Sequence, residues 1–200
     1  MSRVTLWAST FCLLTFTFIA VQAFGRKHET GFLNREVVAA GESFRYEVFV
    51  PQNFDPHKPW PVILFLHGSG ERGDDGVLET DMGIAHAIRH NVANFPFIVV
   101  MPQCRKDRHW IDSEMQAQVL AVLDKSIKEF NGDRSRIYLT GLSMGGYGTW
   151  DMAAKYPGKF AAFRMLLFMR SAPASDHPTM SITTASVKIR KDFLTTAVTP

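Results

Sequence analysis

Two hundred residues, with 22 Lys/Arg against 19 Asp/Glu, allow one domain with a sizeable core and a formal charge of +3. Residues 164–200 hold five Lys/Arg and two Asp/Glu, which accounts for that surplus; the body has no basic stripe, and nucleic-acid binding is set aside. Only Cys12 and Cys104 are present, and no Cys/His cluster has ligand spacing, so metal ligation finds no support.

Residues 1–23 read as an export signal. Arg3 supplies the positive start, residues 4–21 carry no charge, and Val21-Gln22-Ala23 places small residues where a signal peptidase reads. The rival reading is an uncleaved anchor, but interspersed Thr5, Ser9, Thr10, Thr15 and Thr17 weaken a permanent span. The expectation is a secreted or periplasmic chain with no stable membrane span after cleavage, in which Cys104 is the remaining thiol.

Residues 34–39 and 44–50 read as two strands around a hairpin at Ala40-Gly41-Glu42-Ser43. The second alternates polar and apolar, as a half-exposed strand near a sheet edge should. Residues 61–66 differ in kind: Pro61-Val62-Ile63-Leu64-Phe65-Leu66 is continuously apolar, the pattern of a parallel strand buried on both faces. It runs into His67-Gly68-Ser69-Gly70, where glycines let backbone approach a ligand closely. His67 reads as structural, holding this loop by hydrogen bonding. Glu71, Arg72, Asp74 and Asp75 read as a solvated rim or a loop-stabilising ion pair.

Residues 81–91 read as a modest helix with His86 and His90 on one face and no third ligand nearby. Residues 97–101 form a second continuously apolar strand. A helix then opens at Ser113, read as N-cap with Gln116 completing a capping box. Its apolar stripe is Met115, Val119, Val122, Leu123, Ile127 and Phe130, and Asn131-Gly132 stops it.

Residues 137–156 are the centre of the chain. Ile137-Tyr138-Leu139-Thr140 fits a buried strand, Gly141-Leu142-Ser143-Met144-Gly145 is a G-x-S-x-G pattern, and residues 144–156 read as a helix closed by Pro157-Gly158. Strand, tight turn and helix in that order make a nucleophile elbow, with Ser143 as the nucleophile. Small residues two positions either side let the neighbouring elements approach. The Ser69 and Met144 amides read as oxyanion-hole donors. Gly68, Gly70, Gly141, Gly145 and His67 read as the supporting loop. Alternating strands and helices argue for an α/β fold: a mostly parallel sheet flanked by helices, with the loops after residues 66 and 142 on one edge.

Residues 45–163 resemble a secreted α/β-hydrolase of the phospholipase/carboxylesterase-like group, whose relatives include polyhydroxybutyrate-depolymerase-like and feruloyl-esterase-like enzymes and predicted peptidases. The matching segments are 61–75 (PVILFLHGSGERGDD), 99–104 (VVMPQC) and 136–160 (RIYLTGLSMGGYGTWDMAAKYPGKF). The resemblance implies hydrolysis of a small-molecule or polymer ester through an acyl-serine, without cofactor or metal. It also implies a later acid and histidine, and here the pattern departs.

Residues 164–200 hold ten Ser/Thr and no clear strand–helix alternation. Residues 165–169 fit one further strand. The rest reads as a divergent tail, so the expected organisation is a signal at 1–23, the first part of a hydrolase domain at 24–163, and a hydrolase lacking its last strand–helix units. Asp176-His177 is the only Asp–His pair beyond the elbow, but adjacent side chains are poorly disposed to act as brace and base. The triad acid and base stay unassigned. The alternatives are a truncated, catalytically incompetent chain or binding remnant, and a serine peptidase of the same fold.

Overall fold

The computed structural model describes residues 28–39, 41–170 and 180–187. The segment read as a signal and the Asp176-His177 pair lie outside the described residues. Strands β1 (Gly31–Ala39) and β2 (Glu42–Val50) pair antiparallel, with Ala39 opposite Glu42. Gly41 in the connecting turn takes a φ of +84°, which glycine adopts without steric cost.

Five further strands complete the sheet among the described residues: β3 (Trp60–Leu66), β4 (Ile98–Pro102), β5 (Gly132–Leu142), β6 (Ala162–Arg170) and β7 (Met180–Val187). Their order is β1-β2-β4-β3-β5-β6-β7. The central four, β4-β3-β5-β6, run parallel, and antiparallel pairs lie at both margins. The further strand expected at 165–169 is part of β6, and the expected boundary at 163 falls inside that strand.

Among the described residues, three α-helices connect the strands: α1 (Ile84–His90), α2 (Ser113–Glu129) and α3 (Met144–Lys155). Alternation along the strands sorts apolar residues onto two faces. Tyr46, Val48, Val62, Leu64, Leu66, Ile98 and Val100 join a core with Met115, Val119, Leu123 and Met152 of α2 and α3. Phe49, Phe65, Val99 and Met101 point the other way and meet Ala85 and Ile88 of α1. Both faces are therefore covered, which is why β3 and β4 need unbroken apolar runs. Each fully buried aliphatic or aromatic side chain contributes about 1.5–3 kcal/mol.

Three local features differ from the sequence expectations. The helix expected over 81–91 is the shorter Ile84–His90, because Gly83 before it takes φ +71° and a Cβ there would lie 2.4 Å from the Phe65 ring. The α2 N-cap is Asp112, not Ser113. Its carboxylate accepts from the His109 amide at 2.9 Å, and no side chain caps the helix. Gln116 is turned inward to the Trp110 carbonyl and Asp151 instead of closing a capping box. Finally, β2 is half-exposed only over its first residues: Val48, Phe49 and Val50 are all buried, since β1 lies outside it and helices cover both faces.

Candidate active site

At the carboxyl end of β5 the backbone reverses into α3 at Ser143, with φ +52° and ψ −113°. A non-glycine residue at positive φ is strained by about 1–3 kcal/mol and persists only where its surroundings hold it. Those surroundings are visible. The Ser143 amide donates to the Leu166 carbonyl of β6 at 2.8 Å, and the Gly146 amide donates to the Ser143 carbonyl at 2.8 Å.

The two elbow glycines are sterically required. A Cβ on Gly141 would lie 2.1 Å from the Gly145 carbonyl oxygen, and one on Gly145 would lie 1.9 Å from the Leu66 carbonyl oxygen. The elbow thus packs directly on the end of β3. On its other side comes the loop after β3: a Cβ on Gly68 would lie 3.8 Å from Ser143 Cβ. The predicted nucleophile and the predicted oxyanion loop therefore meet, although about 75 residues separate them in sequence.

Ser69 opens a short 3-10 turn, Ser69–Glu71, and Met144 opens α3. The first amides of a helix have no intrahelical acceptor. Neither the Ser69 nor the Met144 amide donates to a protein acceptor among the described residues. Gly70 is exposed beside them, and Ser143 and Met144 are partly exposed.

His67 is 1% exposed and turned away from chemistry. Its Nε2 accepts from the Cys104 amide at 2.9 Å, so the ring hydrogen is on Nδ1, which donates to the Gly68 carbonyl at 2.6 Å. Burial lowers its pKa to about 4, and the nearby Arg72 acts in the same direction, so the ring is neutral. The Trp110 indole donates to the His67 carbonyl at 2.9 Å, with the rings edge to face at 4.9 Å. Glu71 Oε2 lies 3.9 Å from Nδ1, but with a neutral imidazole this is no ion pair.

The charged residues after Gly70 tie the loop together chiefly through hydrogen bonds. Arg72 donates to the Ser69 carbonyl at 3.1 Å, and Asp75 Oδ1 accepts from the Val77 and Leu78 amides at 2.9 and 3.0 Å. Those amides are the main cause of the lowered Asp75 pKa.

Gln103, which the sequence reading passed over, joins this loop to β4. Its Oε1 accepts from the Gly76 amide at 2.8 Å, and its Nε2 donates to the Glu71 carbonyl at 3.2 Å and to Asp75 at 3.0 Å. No periodicity marks such a residue; its sequence signals are its place just after the apolar run of β4 and within the matching segment 99–104.

Among the described residues, no histidine hydrogen-bonds to Ser143. His86 and His90 lie side by side on α1 with ring centroids 4.5 Å apart and the rings tilted by 51°, and no group of three ligating side chains occurs among the described residues. Cys104 is buried and free, its thiol pushed up to about 12 by desolvation.

A mostly parallel sheet with helices on both faces, carrying a serine on a strand–helix turn at its carboxyl edge, is an α/β-hydrolase fold. The family model described as "Putative esterase" matches residues 38–169, and the chain belongs to this Esterase family. It is 29% identical over 130 residues to a bifunctional acetylxylan esterase/xylanase of Neocallimastix patriciarum, covering 58% of this chain and 16% of that protein. It is 27% identical over 131 residues to a poly(3-hydroxyoctanoate) depolymerase of Pseudomonas fluorescens, covering 56% of this chain and 46% of the relative. A thermostable esterase of known structure superposes with a TM-score of 0.58 at 34% identity, over 66% of this chain and 40% of that one. The chain thus spans less than half the length of each of these relatives.

Proposed function

We propose that this chain carries the nucleophile and oxyanion site of a serine hydrolase of carboxylic esters, working through an acyl-serine intermediate without a cofactor. The observation that carries the reading is the strained Ser143 at the β5–α3 turn, set against the Gly68 loop. Ser143 Oγ bonds to the ester carbonyl carbon, and its proton passes to water, which returns a proton to the leaving alcohol. The carbonyl oxygen gains negative charge, which the Ser69 and Met144 amides stabilise. The carbon–alkoxy bond then breaks, and the alcohol leaves with a proton. Water attacks the acyl-serine, releases the acid and restores the serine hydroxyl.

The substrate is a small-molecule or polymer ester, in the class that includes acetylated polysaccharide, polyhydroxyalkanoate and the acyl esters of phospholipids. Similarity to an acetylxylan esterase and to a polyhydroxyalkanoate depolymerase supports the polymer end of that range. Ester is favoured over peptide on physical grounds. An amine leaves only when an acid protonates it, an alkoxide leaves more readily, and no imidazole engages Ser143 among the described residues.

That same observation favours a second reading, in which the isolated chain is catalytically incompetent or serves as a binding remnant. A serine without a base is a weak nucleophile. The 200-residue chain is therefore expected to hydrolyse p-nitrophenyl acetate only weakly, with the activity absent in Ser143→Ala. Fast, stoichiometric labelling of Ser143 by a fluorophosphonate would show instead that a base is engaged.

We infer export through residues 1–23, with the hydrolase domain beginning at residue 24. No helix among the described residues is long and apolar enough to cross a membrane. Amino-terminal sequencing of the exported chain tests the cleavage after Ala23.

A further inference from the structure

The Ser69 amide shares a peptide unit with the Gly68 carbonyl. In a trans peptide these two groups point to opposite sides, and the described residues contain no cis bond. Whatever fixes the Gly68 carbonyl therefore fixes the direction of the Ser69 N–H. Glycine at 68 offers little resistance of its own to rotation of that peptide. The group holding the carbonyl is His67 Nδ1, at 2.6 Å, with Gly68 at ψ −177°.

The donor is itself constrained. The Cys104 amide occupies Nε2 at 2.9 Å, which leaves Nδ1 as the nitrogen that carries hydrogen. The ring cannot swing out, because it is buried against Trp110 and its own carbonyl is held by the indole N–H.

We propose that His67 is a positioning residue for the oxyanion site: its Nδ1–H sets the orientation of the Gly68–Ser69 peptide, and the Cys104 amide enforces the tautomer that makes this possible. Its catalytic consequence rests on the Ser69 amide being an oxyanion donor, as proposed above; the positioning itself does not. A histidine that merely anchors the loop would not care which nitrogen does the anchoring. Two variants separate the possibilities. His67→Asn brings an amide N–H to the Nδ1 position and keeps a donor for Gly68. His67→Gln reaches the Nε2 position, keeps an acceptor for Cys104 and leaves the Gly68 carbonyl without its donor.

Crystal structures of the two variants are expected to show Gly68 ψ near −177° in His67→Asn and turned away in His67→Gln. At equal folded fraction, fluorophosphonate labelling of Ser143 is expected to be about a hundredfold slower in the Gln variant than in the Asn variant, the lower end of the range for loss of one oxyanion donor. An unturned peptide in the Gln variant overturns the inference. A turned peptide with equal labelling rates leaves the positioning standing and removes Ser69 as a donor. If either variant fails to fold, nitrogen NMR of the unaltered chain decides: a hydrogen on Nδ1 supports the inference, and one on Nε2 overturns it. Failure of the unaltered chain to label above Ser143→Ala would instead count against the nucleophile, with the peptide geometry and tautomer still deciding this question.

Discussion

Gly145 of α3 lies so close to Leu66 of β3 that a Cβ on the glycine would be 1.9 Å from the Leu66 carbonyl oxygen. The obstacle is backbone at the end of a buried strand, so no rotamer change relieves it. Gly145→Ala must push the elbow off β3 or distort the strand end. The expected loss is about 3 kcal/mol, at the upper end for overpacking a well-packed site, seen as a lowered Tm. Gly70 is the control: nothing lies within 4 Å of a Cβ there, and Gly70→Ala is expected to leave Tm nearly unchanged. Equal losses for the two would contradict this account of the elbow.

Ser143 makes the complementary prediction. Its φ of +52° is strained for serine and relaxed for glycine. Ser143→Gly is therefore expected to stabilise the fold by about 1 kcal/mol in urea unfolding, while Ser143→Ala, which keeps a Cβ, does not. A Gly variant no more stable than the Ala variant would mean that the turn stores no strain. Stability gained by removing the serine is what a site selected for reactivity would show.

Two buried groups bend the pH dependence of stability in opposite directions. Desolvation lowers His67 from 6.5 to about 4. Between those values the unfolded chain binds more protons, so His67's contribution is full above about pH 6.5 and is lost as pH falls toward 4. Desolvation raises Glu79 from 4.5 to about 8, with neighbouring Glu47 and Asp75 adding to the shift. Here the folded chain binds more protons, so its contribution is full below about pH 4.5 and is lost as pH rises toward 8. Among the described residues, both carboxylate oxygens of Glu79 are buried without a hydrogen-bond partner, which is why ionising it is costly. Glu79→Gln is expected to gain stability relative to the unaltered chain as pH rises from 5 to 9, at a rate of up to about 1.4 kcal/mol per pH unit. A constant difference between the two chains across that range would refute the assignment.

The parts of this molecule that could be read in advance are those written as local patterns. The apolar runs of β3 and β4, the stripe on α2 and the turn between β5 and α3 each follow from a period or from a steric demand on glycine. The meeting of Gly68 with Ser143 followed from strand direction alone. Gln103, Gln118 and Trp110 could not be read this way, because each satisfies a backbone group brought near by folding and has no partner at a fixed spacing in sequence. Glu47 shows the opposite failure. It alternates like an exposed strand residue, yet it is half-buried, and burial raises its carboxyl to about 6. Asp112 stands at the N-cap in place of Ser113, with its carboxylate held by the His109 amide three residues earlier and not by the helix's own first amides.

Gln103 offers the sharpest test of how the loop after β3 is held. It is 2% exposed, and its amide serves the Gly76 N–H, the Glu71 carbonyl and Asp75 at once, while Gln118 donates to its own carbonyl at 3.0 Å. Gln103→Leu keeps most of the volume but leaves the Gly76 amide buried without a partner. The expected cost is about 1–3 kcal/mol, the penalty for an unsatisfied buried group. The loss should also be local. Hydrogen exchange is expected to speed up at the amides of Gly76, Val77 and Leu78, with the core amides of α2 slowed or hastened only by the global change in stability. Uniform acceleration across α2 and residues 76–78 would show that Gln103 supports the whole sheet and has no special hold on the loop. Local acceleration would place the rigidity of the loop beside Ser143 in a residue buried beneath that loop.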